Sequence, residues 1–161
     1  MAATESTPPV SLLRSRRAAL SDVCVAAATD HPRPDGEDRY TVSEVAEFTG
    51  LTTATLRWYE QIGLLPGVTR AHDRQLVFAN SDLDWLAFVD TLRVTGMPVA
   101  DMVRYADLVR EGEGTYRDRR LILEEARRDV LARITALQNA VGRLGHEIDA
   151  CARAEGVPDR R

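Results

Sequence analysis

Two helix starts and two helix stops fall within the run Thr41–Gly63, and that spacing constrains the fold more than anything else in the chain. Thr41-Val42-Ser43-Glu44 is a capping box: the threonine hydroxyl accepts an otherwise orphaned N–H, and the glutamate reaches back to the cap. Val45 and Phe48 supply the inward face of the helix that follows, and Gly50 is placed to stop it in the left-handed conformation. Thr52 is placed to cap a second helix, Thr53 to about Ile62, which Gly63 ends. Two helices joined by so short a turn must cross steeply, which is the helix-turn-helix condition.

Leu64-Leu65-Pro66-Gly67 closes that unit. Val68 to Phe78 then splits into two short arms around the polar tip Ala71-His72-Asp73-Arg74, a pattern suited to a β-hairpin wing. Asn80 or Ser81 is expected to cap a third helix, on which Trp85, Phe88, Val89 and Leu92 recur at helical spacing before Gly96. Pro98 opens a fourth helix with an apolar face of Val99, Met102, Val103, Ala106 and Val109, and Gly112 and Gly114 break the chain after it.

From about Tyr116 to Ala154 the sequence reads as one long helix. Val130, Ile134, Leu137, Val141, Leu144, Ile148 and Cys151 are spaced 4, 3, 4, 3, 4, 3, a coiled-coil seam of about three heptads. At 1.5 Å per residue such a helix extends roughly 55–60 Å. A domain this small cannot cover that stripe along its whole length, so a second copy of the chain is the natural partner. The predicted fold is mainly α: a winged helix-turn-helix over residues 39–111, with its third and fourth helices as a helical linker, followed by a long C-terminal coiled-coil dimerisation helix over 115–154.

Residues 1–38 differ in composition, with Pro8, Pro9, Pro32, Pro34, Gly36 and many small side chains, and are expected to form a disordered arm, as is the tail 155–161. Leu12 to Ala28 is alanine-rich and could form a transient helix. Arg14, Arg16 and Arg17 either belong to a simple leader or touch DNA phosphates. An export signal is the weaker reading, because Asp22 breaks the apolar run after the arginine pair. No apolar run approaches the ~18 residues of a membrane span. Cys24 and Cys151 have neither CxxC nor Cys/His spacing, so no disulfide framework, zinc site or other cofactor is expected, and the compartment is expected to be the reducing cytoplasm.

The net charge of −4 argues against indiscriminate nucleic-acid binding, but counterion release depends on local clustering of cations. On the second helix Leu56 faces inward, which turns Thr53, Arg57 and Glu60 to another stripe. Thr52, Thr53 and Thr55 are short donors near the helix N-terminus, where the dipole favours phosphate. Arg57 can read guanine or clamp phosphate. Trp58 and Tyr59 either pack on the sugar–phosphate backbone or belong to the core. Arg70 and Arg74 in the wing are phosphate candidates, whereas His72 reads as a polar turn residue. His31, His72 and His146 show no partner in a nucleophile–base set and there is no phosphate loop, so an enzyme is not expected.

The run YTVSEVAEFTGLTTATLRWYEQIGLLPG resembles the start of a MerR-family transcription regulator, whose usual motif is close to "TLRYYEEIGLL". The hairpin, the SDLDWLAFVDTLRVTGMPVADM stretch and the terminal coiled coil follow in that family's order, so the resemblance covers about residues 40–153. It implies a homodimer with an antiparallel coiled coil, bound to double-stranded promoter DNA between elements set too far apart. It also implies distortion of that spacer so that RNA polymerase holoenzyme engages both elements, which is deformation energy used as a switch. Family contacts carry over to Arg57, Trp58 (usually Tyr), Tyr59 and the wing arginines. Two departures stand out. The family's Gly-aromatic-Arg run in the wing is here Arg74-Gln75-Leu76, which leaves Arg74 as the substitute cation. The helix-three sequence is most similar to the aldehyde- and thiol-stress subgroup, yet Thr91 stands where that subgroup often has a reactive cysteine. Metal-sensing members place cysteines at the start of the dimer helix and in a loop near its end, and neither arrangement occurs here, so no effector is assigned. Cys151 on the seam reads as a small core residue, and the chain ends too soon after it for a separate drug-binding domain. The competing expectation is a coiled-coil interaction module whose winged domain binds protein.

Overall fold

The computed structural model describes residues 31–156. The elements run β1 (Tyr40–Thr41), α1 (Val42–Thr49), α2 (Thr53–Gln61), β2 (Thr69–Arg70), β3 (Leu76–Phe78), α3 (Asn80–Thr95), α4 (Val99–Glu111), a 3₁₀ turn (Glu113–Thr115) and α5 (Tyr116–Glu155). The fold is therefore mainly helical, with a winged helix-turn-helix leading into a 40-residue C-terminal helix.

The local punctuation works as its chemistry dictates. Thr41 and Glu44 form the reciprocal capping box: the Glu44 N–H donates to the threonine hydroxyl at 3.3 Å and the Thr41 N–H to the Glu44 carboxylate at 2.7 Å. Gly50 ends α1 at φ 70°, a conformation that costs a residue with a Cβ about 1–2 kcal/mol. The Thr55 N–H donates to the Thr52 hydroxyl at 3.0 Å and starts α2.

Three short strands form an antiparallel sheet in the order β1-β3-β2, with Tyr40 opposite Phe78 and Arg70 opposite Leu76. The outer strand β1 was absent from the sequence expectation, because two residues ahead of a helix cap carry no alternation to detect. Tyr40, Val45, Leu56, Leu64, Phe78, Trp85 and Val89 are buried together and join helix-turn-helix, sheet and α3 in one core. Trp85 donates its indole N–H to the Leu64 carbonyl at 2.8 Å, which pins the chain where it leaves α2. On α4, Met102, Ala106 and Val109 are buried as expected and Tyr105 joins them, its ring 5.4 Å from Phe88 and 6.1 Å from Trp85.

Four expectations are corrected. Phe48 is 48% exposed: it falls in the last turn of an eight-residue helix, past the reach of the core, and meets Tyr40 edge-on at 5.7 Å. Val99 is exposed because it starts α4, one turn ahead of the buried stripe. Neither Asn80 nor Ser81 caps α3. Ala79 stands at the N-cap, and the Asp82 carboxylate accepts its N–H at 2.8 Å. Asn80 is instead buried as a hub: its amide donates to the Arg33 carbonyl at 2.9 Å and to Asp35 at 2.8 Å, and its own N–H donates to Asp38 at 3.1 Å. Those same bonds correct the boundary of the arm. Residues 31–38, expected to be disordered, lie against the domain, where Arg33 pairs with Glu44 and His31 meets Asp84 at 2.9 Å. Leu12 to Ala28, Arg14, Arg16, Arg17 and Cys24 lie outside the described residues.

The first turns of α5 pack Ile122 and Leu123 on the core, and Arg133 donates to the Thr95 carbonyl at 2.9 Å, which ties the long helix to the end of α3. Beyond that point the helix leaves the domain. Ile134, Leu137, Val141, Leu144 and Ile148 are all exposed, Leu137 at 65%, and Cys151 is exposed with them.

Candidate nucleic-acid interface

α2 is oriented by what it buries. Leu56 is wholly inside, and Tyr59, three residues on, shares its stripe at 8% exposed. Of the two aromatics left open by the sequence, Tyr59 therefore belongs to the core, and Trp58, 44% exposed, presents its ring to solvent. Arg57 is exposed beside it. At the N-terminus of α2 the Thr52 and Thr55 hydroxyls lie 2.8 Å apart, where they hold the cap and face outward together, and Thr53 is half-buried next to them.

The wing tip is a tight turn: the Arg74 N–H donates to the Ala71 carbonyl at 2.9 Å, and Asp73 accepts the Gln75 N–H at 3.2 Å. Arg74 closes that turn at φ 65°, and it is the non-glycine residue with positive φ among the described residues. A hairpin of this kind asks for glycine at that position. Arg74 thus takes the left-handed conformation that glycine adopts most readily. Leu76, at the usual arginine position, is 7% exposed and turned into the core, so it supplies no cation.

Arg70 leans from β2 onto α2. Its Nη2 lies 2.8 and 2.9 Å from the two Glu60 oxygens, its Nε lies 3.2 Å from Glu60 Oε1, and its Nη1 donates to the Arg74 carbonyl at 3.3 Å. Glu60, on the stripe of Arg57, was not among the expected site residues. Its signal in the sequence is the three-residue step from Arg57, but its partner comes from a different element.

Together α1, α2 and the wing enclose a groove of about 590 Å³ lined by Thr41, Ser43, Arg57, Glu60, Arg70 and Arg74. Thr52, Thr53, Thr55 and Trp58 lie on α2 outside that groove, at the helix start and beside Arg57. Short hydroxyls, guanidinium groups and an exposed indole are the side chains that position a duplex and read base edges. Among the described residues no cluster of His, Cys, Asp and Glu could hold a metal ion, and Thr91 bonds back to the Ala87 carbonyl at 3.2 Å.

The family described as MerR HTH family regulatory protein matches residues 40–108, the span from β1 into α4. An uncharacterised HTH-type transcriptional regulator of Haemophilus influenzae is 30% identical over 118 residues, covering 73% of this chain and 87% of the relative. This chain belongs to the MerR family. The HTH-type transcriptional regulator AdhR of Bacillus subtilis is 33% identical over 90 residues, 56% of this chain and 64% of AdhR. Among solved structures, HiNmlR, a MerR family regulator lacking the sensor domain and bound to promoter DNA, superposes with a TM-score of 0.65 at 30% identity, covering 74% of this chain and 94% of that one. A MerR family transcriptional regulator from Bacillus thuringiensis gives a TM-score of 0.60 at 26% identity, covering 70% and 98%. The protein is a MerR-family transcription regulator, and its relatives are regulators rather than enzymes.

Proposed function

We propose that this MerR protein binds double-stranded promoter DNA as a homodimer and controls initiation by distorting the spacer that RNA polymerase holoenzyme must read across. The observation that carries the reading is the placement of Arg57, Arg70 and Arg74 around one groove beside the recognition helix. α2 enters the major groove, with Thr52, Thr53 and Thr55 at the phosphate-binding end of the helix and Arg57 on bases or phosphate. Trp58 packs on the sugar–phosphate backbone, and Arg74 at the wing tip lies along the adjacent strand.

The exposed seam supports the dimer. Five large apolar side chains in a row on a helix that leaves its own domain need a cover, and an antiparallel copy of the same helix supplies one. Two wings held at a fixed separation can then bend or twist the DNA between them, at a cost of a few kcal/mol that contacts offset. The promoter-bound state of HiNmlR favours this reading over a winged domain that binds protein. The place of action is the cytoplasm, where the promoter is. Among the described residues no helix is long and apolar enough to cross a membrane.

A gel shift on the DNA upstream of the protein's own gene, run at two salt concentrations with competitor duplex and followed by footprinting, tests the reading. A competitor-resistant, salt-sensitive shift with a two-fold symmetric footprint is expected. No shift, or one insensitive to salt, overturns it.

A further inference from the structure

The wing of this protein is held by an ion pair whose acidic partner stands on the recognition helix itself. Glu60 takes up the guanidinium of Arg70 through both carboxylate oxygens, and the same guanidinium reaches the Arg74 carbonyl at the wing tip. Glu60 is half-buried at 24% exposure and Arg70 is exposed at 53%, so the pair lies at the solvent edge of the groove. Arg57, Arg74 and the acid Asp73 line the same groove, and none of the three forms an ion pair among the described residues.

We infer that Glu60 is a positioning residue for DNA recognition: it makes Arg70 a strut that fixes the wing against α2, and it cancels one of the three arginine charges in the groove. The inference rests on the DNA-binding reading and specifies how charge is divided within that site. Fork-to-fork pairing of a guanidinium with a carboxylate fixes direction as well as distance, which a lone lysine–carboxylate contact does not. The tie spans two elements that share no helix or strand hydrogen bonds, so it adds a directional polar contact between the recognition helix and the wing to the apolar core they already share. The charge presented to phosphate then falls to Arg57 and Arg74, and Arg70 carries geometry. A groove with three free guanidinium groups would bind any duplex more tightly, because backbone attraction is indifferent to sequence.

The test is the salt dependence of DNA binding for the wild type, Glu60→Gln, and the double variant Glu60→Gln/Arg70→Gln, measured on the upstream duplex and on an unrelated duplex. Freeing Arg70 in Glu60→Gln adds one phosphate-seeking cation per subunit. The slope of log affinity against log salt therefore steepens by about one unit per subunit, about two for the dimer, an extra loss of roughly 12- to 16-fold between 50 and 200 mM salt. Preference for the upstream duplex falls at the same time. The double variant replaces a neutral pair by a neutral pair and returns the slope to that of the wild type. A Glu60→Gln slope equal to the wild type overturns the inference, and so does a double-variant slope about one unit per subunit shallower than the wild type, which would make Arg70 a phosphate contact in its own right. Should Glu60→Gln alone fail to fold, the double variant decides by the same comparison. Absence of salt-dependent binding by the wild type is a different result and counts against the DNA-binding reading itself.

Discussion

Tyr40 donates its hydroxyl to the Asn80 side-chain carbonyl at 2.8 Å, joining the first strand to the first turn of α3 across 40 residues of sequence. Both are almost wholly buried, and the same tyrosine oxygen accepts the Arg33 N–H at 3.0 Å. One phenol thus ties three segments together, and it holds residues 31–38 to the domain alongside the bonds of Asn80 with Arg33, Asp35 and Asp38.

Tyr40→Phe keeps the ring and removes those bonds, leaving the Asn80 oxygen without its donor. The expected loss is about 1–3 kcal/mol of unfolding free energy. Chemical denaturation of both proteins measures it, and a change below about 0.5 kcal/mol, within the range of an inert surface substitution, would mean the hub is dispensable.

Arg74 is in the left-handed region at φ 65°, and glycine adopts that conformation without strain. Arg74→Gly is expected to raise stability by about 0.5–1 kcal/mol, since relief of about 1–2 kcal/mol is partly offset by the greater freedom of glycine in the unfolded chain. DNA affinity is expected to fall, with a salt slope shallower by about one per subunit. Stability and affinity thus move in opposite directions, and a parallel fall in both would rule out backbone strain at this turn.

Glu44 accepts the Thr41 N–H, then the Thr41 hydroxyl, then a hydrogen bond from Arg33, and these hold its carboxyl below the usual glutamate range. A carboxyl depressed in the folded state stabilises the fold above its unfolded value, about pH 4.3, and the contribution is lost as pH falls through the lower folded value. Glu44→Gln is expected to flatten the fall in stability on the acid side of that point and to leave the shape of the profile near pH 7 unchanged. Denaturation midpoints at a series of pH values give the comparison, and parallel acid limbs would show that Glu44 does not contribute.

Leu137 lies near the middle of the exposed row on α5. Leu137→Asp places a carboxylate on each side of the seam without a partner, and sedimentation is expected to show monomers at concentrations where the wild type is dimeric. A persistent dimer would place the subunit contact elsewhere.

The parts of the fold legible in the sequence are those set by neighbours in the chain. Thr41, Gly50, Thr52 and Gly96 act on backbone groups within about one helical turn, so their effect is visible in a short window. Trp85, Val89 and Leu92 betray their face by period alone. The parts that were not legible depend on partners far away in sequence. Asn80 carries the signature of a cap, but Arg33, Asp35 and Asp38 claim its polar atoms. Tyr40 looked like the residue before a helix, and its strand exists only because Phe78 lies opposite. In the candidate site, Arg57 and Trp58 follow from the burial of Leu56. Tyr59 fits either the core or the DNA backbone by sequence and is assigned to the core by its burial, and the grip of Glu60 on Arg70 crosses two elements. Arg74 reads in the sequence as a displaced cation, and its left-handed backbone, a conformation that favours glycine, is not legible there.

The most direct test of DNA recognition through the exposed face of α2 is an anisotropy titration of wild type and Arg57→Ala on the upstream duplex, with sedimentation of both proteins alongside. Loss of a side chain that reads a base or clamps phosphate costs about 1–3 kcal/mol, so Arg57→Ala is expected to bind roughly 5- to 150-fold more weakly while its assembly state is unchanged. An affinity equal to that of the wild type would contradict the assignment of this face to DNA.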